Sequence, residues 1–221
     1  MKIIQSTVEL LRPENEAAGV EALRFIERLA RISHRSEDKQ TLASWERFIP
    51  AVVLQHGDWS VVEHATATAL FRVNRGVTHE LVRHRLFSYT QESTRFVNGR
   101  KSYPEGLEFI PPAEWKNKGQ EGVANGTYKV CEDAYLNLLD MGFRPQEARA
   151  VLPNALASTI AVTGNLRAWR HLLIMRTTRE THPDFKQVTL PLLWEFQARV
   201  PLLFDDISPD ARQADNLRLP Q

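Results

Sequence analysis

The sequence predicts an α+β (mixed α/β) fold, an antiparallel sheet packed by helices with a helical subdomain, and three observations carry that reading. Apolar residues recur at helical spacing over 16–32, they alternate with polar ones over 64–73, and a second β-like run at 155–162 leads into another amphipathic helix.

The elements follow in order along the chain. Val20, Leu23, Ile26 and Leu29 form one helical stripe over 16–32, and Leu42, Trp45, Ile49, Val52 and Val53 form another over 41–54. From His64 to Val73 the period shortens to two. Ala65, Ala67, Ala69, Phe71 and Val73 alternate against His64, Thr66, Thr68, Leu70 and Arg72, the pattern of a half-buried strand. Gly76 punctuates, and Val77 to Arg85 reads as a short helix. The polar run Ser88 to Arg95 has neither period and is expected to be an ordered loop over a ligand. A strand ended by two prolines is expected around Phe109 to Pro112. Tyr128, Cys131, Tyr135 and Leu138 mark a helix that stops at Gly142, a C′ glycine. Pro145 suits the first turn of the next helix, which Pro153 ends. After Ala155 to Val162, Thr163 and Gly164 lead to Asn165, a candidate N-cap, and the helix beyond carries Leu166, Trp169 and Leu173. A last helix over roughly 184–200 precedes a polar tail. No repeat, low-complexity tract or linker interrupts the chain, so residues 1–221 are read as a single domain.

A chain of 221 residues with 43% hydrophobic content can bury a core of its own. The 28 Lys and Arg nearly cancel the 27 Asp and Glu, so total charge favours neither nucleic acid nor an anionic membrane. The local balance differs. Between Arg75 and Lys101, six cations (Arg75, Arg83, Arg85, Arg95, Arg100, Lys101) face only Glu80 and Glu92, a local excess that attracts an anion. Glu9, Arg12 and Glu14 interrupt the apolar start before a signal-peptide core forms, and no stretch is long enough to span a membrane. Cys131 is the only cysteine, which excludes an internal disulfide and a multi-cysteine metal site. The chain reads as cytoplasmic.

Chemistry concentrates in RHRLFSYTQESTRF, residues 83–96. Guanidinium groups offer planar, bidentate donors for phosphate, while the amide and hydroxyls that follow can orient a base or a sugar. Taken alone, Arg83-His84-Arg85 also fits a helix end whose cations complement the dipole. The segment nonetheless resembles the signature of flavin-dependent thymidylate synthases: Arg-His-Arg, seven arbitrary residues, then serine, filled here by Arg83, His84, Arg85 and Ser93. ARIS at 30–33, HGDWSVVEH at 56–64, EARAVLP at 147–153 and NLRAWRHLLIMR at 165–176 are similar to family blocks in the same order, so the resemblance covers residues 20–200.

That resemblance implies contacts from Ser60, Arg83, His84, Arg85, Gln91, Asn165, Arg167 and His171 to FAD. It implies that Glu80, Glu92, Ser93, Thr94, Arg95, Arg149 and Arg176 surround dUMP, with Arg83 and Gln91 close to both ligands. It further implies conversion of dUMP to dTMP with methylenetetrahydrofolate as one-carbon donor and NADPH as reductant, in a homotetramer whose sites draw on several subunits. Two departures stand out: Asp58 occupies a loop position where some members carry His, beside the bulky Trp59, and Glu80 stands where an amide is expected. The segment 179–185, RETHPDF, is longer than the usual family form.

A residue-level reading of the mechanism agrees with the resemblance. Uracil C5 is a poor nucleophile until electron density enters the ring, either by thiolate addition at C6 or by polarisation at N3 and O2. Cys131 shares a helical stripe with Tyr128, Tyr135 and Leu138 and is expected in the core, which leaves no thiolate. Arg176 falls on the face of Leu166, Trp169 and Leu173, where a cation needs an anionic partner, and is the candidate catalytic residue at N3 and O2. Arg167 and His171 share another face. Ser93 lacks a His-Asp pair and is read as a hydrogen-bonding group, not a nucleophile. His79 and His84 lie five apart and point about 140° from one another on a helix, so no metal site is expected. The alternative from another class is a non-catalytic nucleotide- or RNA-binding protein using the basic 75–101 segment, with Phe87, Tyr89 and Phe96 for stacking.

Overall fold

The computed structural model describes residues 1–115 and 118–209. The polar tail expected after the last helix lies, from residue 210, outside the described residues. Mixed α and β structure is what the chain forms. In chain order come β1 (Lys2–Ile3), β2 (Thr7–Arg12), α1 (Glu16–Ile32) and α2 (Trp45–Phe48), which runs into a π-helical segment, Ile49–Gln55. A 3-10 turn, Trp59–His64, leads to β3 (Thr66–Asn74), α3 (Arg75–Leu81), β4 (Phe87–Gln91), α4 (Gly99–Ser102) and β5 (Glu108–Phe109). Then follow α5 (Lys118–Asp140), α6 (Pro145–Ala148), β6 (Ala157–Asn165), α7 (Leu166–Arg176) and α8 (Pro183–Arg199). Among the described residues no helix is long and apolar enough to cross a membrane.

The main sheet has the order β2-β3-β6-β4, and β1 pairs with β5 in parallel. Thr68 bonds Thr163 at 2.9 Å and Arg72 bonds Thr159 at 2.9 Å. Four residues forward on β3 are thus four residues back on β6, and the central pair is antiparallel. The alternation expected for β3 holds: Ala65, Ala67, Ala69, Phe71 and Val73 are all buried, so one face is core and the other carries Thr68 and Arg72.

The chain divides into two compact units, each discontinuous in sequence. The first comprises Met1–Glu9 with Leu70–Val162, and the second Leu10–Ala69 with the chain from Thr163 on. In the first unit Phe109 stacks on Tyr128 of α5 at 5.1 Å between ring centroids, with Leu107, Ala124, Tyr135, Ala148 and Leu156 around them. Cys131, expected in this core, is only half-buried. The buried stripe of α5 runs through Ala124, Tyr128, Glu132 and Tyr135, one position round the helix. Glu132 is charged yet only 1% exposed, because it accepts hydrogen bonds from Leu107 N at 2.7 Å and from Lys129 Nζ at 3.2 Å. Burial raises its pKa, but those donors and the terminal amine outweigh that and hold it below the usual carboxylate range.

The second unit is helical. Trp169 of α7 packs on Phe196 of α8, which packs on Phe204, and Leu23 and Ile26 of α1 are fully buried. α1 begins on Asn15, whose side chain accepts from Ala18 N at 3.0 Å. α7 begins, as the sequence predicts, on Asn165, which accepts from Ala168 N at 2.8 Å.

Three sequence expectations are corrected. The helix expected over 41–54 starts at Trp45 and slips into π register, leaving Leu42 78% exposed. Pro50 offers no N–H to the α ladder, and Trp45, Ile49 and Val53, strictly four apart, drift off a 3.6-residue helix but stay aligned on a wider one. The run expected as a loop over 88–95 is strand β4 as far as Gln91. Its outer face is polar and its inner face only half-buried, so the sequence shows no hydrophobic alternation. The strand expected at 109–112 is confined to Glu108–Phe109, and β1 and β2 were not foreseen.

Gly19 marks a tight backbone approach in the second unit. A Cβ built there would lie 1.6 Å from the Arg199 carbonyl oxygen at the end of α8, a backbone atom that cannot swing aside. Gly19→Ala is therefore expected to destabilise the protein by about 3 kcal/mol, at the upper end of overpacking costs, despite alanine's better helix propensity. Chemical denaturation followed by circular dichroism measures this; an unchanged midpoint would refute the close approach.

Candidate active site

Arg72 projects from the polar face of β3 and organises the first unit's polar side. Its Nη1 donates to Glu92 Oε2 at 2.8 Å and to Thr159 Oγ1 at 2.9 Å, while Nη2 pairs with Glu108 and reaches the Tyr103 oxygen at 3.5 Å. The Tyr103 hydroxyl donates to the other oxygen of Glu92. Burial pulls the Arg72 pKa down, but the bonds to Glu108, Tyr103 and Glu92 prevail and push it up, so the cation is permanent. Burial, then the bond to Glu92, raises the pKa of Tyr103, which keeps it a donor.

The Arg83-His84-Arg85 tripeptide leaves the end of α3, whose N-cap Asn74 accepts from Val77 N at 2.9 Å. The helix expected to reach Arg85 stops at Leu81, and Leu86 turns the chain with a φ of 68°. Tyr89 holds this corner. Its hydroxyl donates to the carbonyls of Leu81 at 2.9 Å and His84 at 2.5 Å. His84 is buried, whereas Arg83 and Arg85 are exposed, and among the described residues neither guanidinium has an ion pair.

Beyond the corner, Gln91 donates its amide nitrogen to Thr78 Oγ1 and Ser158 Oγ, both at 3.0 Å, which leaves its carbonyl oxygen as an acceptor. Ser93 starts a turn in which its Oγ accepts from Arg95 N at 3.2 Å and its carbonyl from Val97 N at 2.9 Å. Arg149, distant in sequence, reaches this turn through Nη1 to Thr94 Oγ1 at 3.1 Å. Arg95 lies 5.1 Å over the exposed Phe96 ring. Burial, then the like charge of Arg149, lowers the pKa of Arg75, so two cations stand close together here. A pocket lined by Glu92, Thr94, Tyr103, Leu107, Tyr135 and Ser158, among others, borders the turn that follows Glu92. The structure thus brings Gln91, Glu92, Ser93, Thr94, Arg95 and Arg149 together; Glu80 is half-buried on α3.

In the second unit Ser60 and His171 are exposed, and Arg167 pairs with Glu63 at 2.6 Å. Asn165 spends its Oδ1 on the helix cap and keeps its amide N–H groups for another partner. Arg176 is half-buried, with its guanidinium 5.4 Å from the Phe185 ring centroid. A residue absent from the sequence reading, Arg170, is buried. It grips Asp206 with both arms, donates to Leu203 O at 2.6 Å, and lies 4.8 Å over the Trp59 ring. The bulky Trp59 of the 56–64 block therefore has a defined role as the surface on which Arg170 stacks.

The roles of Arg72 and Tyr103 were likewise missed, and Arg75 and Tyr89 were singled out only as a member of the basic segment and as a stacking ring. The one available signal was Arg72 itself, a lone cation on the polar face of a strand otherwise lined with Thr and Leu. Among the described residues, no group of three His, Cys, Asp or Glu is placed to hold a metal.

Comparison with known proteins adds an independent line. The family described as Thymidylate synthase complementing protein matches residues 17–202. A flavin-dependent thymidylate synthase of Corynebacterium aurimucosum is 33% identical over 87% of this chain and 83% of its own length. One from Mycobacterium sp. (strain JLS) is 34% identical over 87% of this chain and 82% of its own. Among solved structures, a UMP/dUMP methylase, PolB, from Streptomyces cacaoi bound with 5-Br dUMP superposes with a TM-score of 0.75 at 24% identity, covering 92% of this chain and 95% of that one. At that identity the likeness speaks for the fold.

The Tyr89 corner is testable by pH. Burial pushes its phenol up to about 12 from an ordinary 10.0. The folded value lies above the unfolded one, so the stability linked to it is complete below the unfolded pKa and is lost as pH rises toward the folded one. Tyr89→Phe is expected to cost about 1 kcal/mol near neutral pH, by removing the donor to two carbonyls, and to flatten the alkaline fall in the urea midpoint. An alkaline fall identical to wild type would show that another group is responsible.

Proposed function

The chain belongs to the thymidylate synthase complementing protein family, and from that premise we propose that it is a flavin-dependent thymidylate synthase converting dUMP to dTMP. In this reading methylenetetrahydrofolate donates the carbon and NADPH the reducing equivalents. The observation that carries the proposal is the span of the family match, residues 17–202, which includes the whole Arg83–Ser93 motif, Arg149 and Arg176.

The donors present fit FAD. Arg83 and Arg85 are exposed guanidinium groups without an ion pair among the described residues, suited to a diphosphate, and His84 is held beneath them. Gln91, Ser60, Asn165, Arg167 and His171 complete the proposed cofactor set. Reduced FAD, when bound, supplies the hydride that completes the methyl group. For dUMP, Ser93, Thr94, Arg95 and Arg149 present hydroxyls and cations to the phosphate, and Glu80, Arg83, Gln91 and Glu92 border the nucleotide.

Arg176 is the proposed catalytic residue. Its planar fork sets donors at N3 and O2 of the pyrimidine and stabilises the negative charge that gathers there as C5 attacks the one-carbon unit. The guanidinium is half-buried, 5.4 Å from the Phe185 ring centroid, and partial burial strengthens such an interaction over its worth in water. Cys131, half-buried on α5 and off its buried stripe, takes no part. Ser93 is engaged by Arg95 N and serves as a hydrogen-bonding group. We further propose that residues 1–221 act as one catalytic domain, in a cytoplasmic homotetramer whose sites draw on several subunits, without nucleic acid or membrane as partner.

The purified protein is expected to carry a flavin absorbance band that dUMP perturbs, and to release tritium from labelled dUMP only when methylenetetrahydrofolate, FAD and NADPH are all present. Protein that binds dUMP and never takes up flavin would leave the nucleotide-binding alternative standing. Arg95→Ala and Arg149→Ala should each weaken dUMP binding by about 1.5–3 kcal/mol, the worth of a charge-assisted hydrogen bond. Unchanged affinity in both would misplace the phosphate. Arg176→Ala should lower kcat about 100-fold or more, with partial rescue by Arg176→Lys, while Cys131→Ala keeps near-wild-type turnover. The opposite pattern in folded, FAD-loaded enzymes would refute polarisation by Arg176.

A further inference from the structure

We propose that Arg72 and Glu92 are a positioning pair that sets where the Ser93–Arg95 turn stands for the uridylate phosphate, acting through the turn and not through a bond of their own to that phosphate. The inference rests on the uridylate reading above. It begins with how the turn is held. Its internal bonds, Arg95 N to Ser93 Oγ at 3.2 Å and Val97 N to Ser93 O at 2.9 Å, are local and fix its shape only. Its placement depends on two ties to the rest of the unit: the bond from Arg149 Nη1 to Thr94 Oγ1 at 3.1 Å, and Glu92, the residue from which it springs.

Glu92 is immobilised through both backbone and side chain. Its N–H donates to Thr159 O at 2.8 Å, and its Oε2 accepts from Thr159 N at 3.3 Å, so one residue clasps one residue of β6 twice. The same oxygen accepts from Arg72 Nη1 at 2.8 Å, and Oε1 accepts from the Tyr103 hydroxyl. Arg72 is anchored in turn by Glu108 and Thr159.

The second part of the argument is electrostatic. Glu92 is a carboxylate beside the proposed phosphate site, and its charge acts on Arg75 in the sense opposite to the like charge of Arg149. Released from Arg72, it would be drawn toward Arg75 and weaken the positive field that the phosphate requires. Arg72 therefore does two things with one guanidinium: it fixes the root of the turn and keeps the acid facing inward. This yields an asymmetry that a purely structural pair lacks. Loss of Arg72 alone should be worse than loss of the Glu92 charge, and removing that charge should relieve the loss of Arg72.

The experiment is calorimetric titration of FAD-loaded enzyme with dUMP, with folded fraction and flavin content measured for each variant. Glu92→Gln is expected to raise the Kd for dUMP about fivefold and Arg72→Met about 30-fold, and the double variant to return close to the Glu92→Gln value, a coupling within the range of contacting charges. Tyr103→Phe, which removes one donor to Glu92 and leaves the ion pairs, should raise Kd about threefold. A double variant as weak as Arg72→Met, or single variants that fold, hold FAD and bind dUMP like wild type, would overturn the inference. Should Arg72→Met fail to fold, Arg72→Lys and Tyr103→Phe decide, and wild-type Kd in both overturns it. Glu92→Gln abolishing binding while Arg72→Lys leaves it intact would make Glu92 a direct ligand and also overturn it. A wild-type enzyme that does not bind dUMP refutes the uridylate reading itself, a result distinguishable from any behaviour of the variants.

Discussion

The first unit depends on one guanidinium shared between two carboxylates. Arg72 stands on β3, Glu92 at the exit of β4, Glu108 on β5, and Thr159 on β6, so a single side chain ties four strands on the face opposite the apolar layer. Breaking a buried pair by removing one partner costs about 3–5 kcal/mol because it strands a charge. Arg72 keeps 20% of its side-chain surface, so the cost here is smaller, but two acids would be stranded instead of one. A hydrophobic residue at this position could pack the strand; it could not set the direction of Glu92. Such networks contribute specificity of arrangement more than net stability.

The sequence disclosed those parts of the fold whose local physics agrees with their tertiary role. β3 alternates because one face is core and the other is not, and Asn165 is visible as a cap because a short polar acceptor ahead of an apolar stripe has few other uses. β4 escaped because its inner face, Phe87, Tyr89 and Gln91, is only half-buried and serves polar partners, Tyr89 reaching carbonyls and Gln91 hydroxyls, so hydrophobic alternation is weak. The π segment escaped because Pro50 and the four-residue spacing of Trp45, Ile49 and Val53 act together, and neither is decisive alone. Glu132 replaced the half-buried Cys131 in the core through a backbone N–H from a distant loop, which no helical wheel displays.

The site was legible as a set of residue types and illegible as a division of labour. The chain is rich in arginine, and a sequence cannot tell a cation kept for a ligand from one spent on the fold. The structure separates them. Arg72, Arg170 and Arg31 are committed, to Glu92 and Glu108, to Asp206, and to Glu27 respectively, whereas Arg83 and Arg85 project outward. The resemblance to a family directed attention to the second group, and only coordinates could assign the first. Tyr103 was invisible for the same reason: its partners are Arg72 and Glu92, neither adjacent in sequence.

The Tyr89 corner carries a further consequence. It holds Leu81 and His84 by hydrogen bonds from a phenol that stays uncharged at neutral pH, not by an ion pair. Added electrolyte weakens attraction between exposed charges, over a Debye length of about 8 Å at physiological ionic strength, but leaves neutral hydrogen bonds almost untouched. Where Arg83 and Arg85 stand is therefore indifferent to the ionic medium, while the pull they exert on an anion is not. Geometry and field strength are controlled independently, so moderate salt thins the traffic of anions toward the tripeptide without altering the shape it offers them.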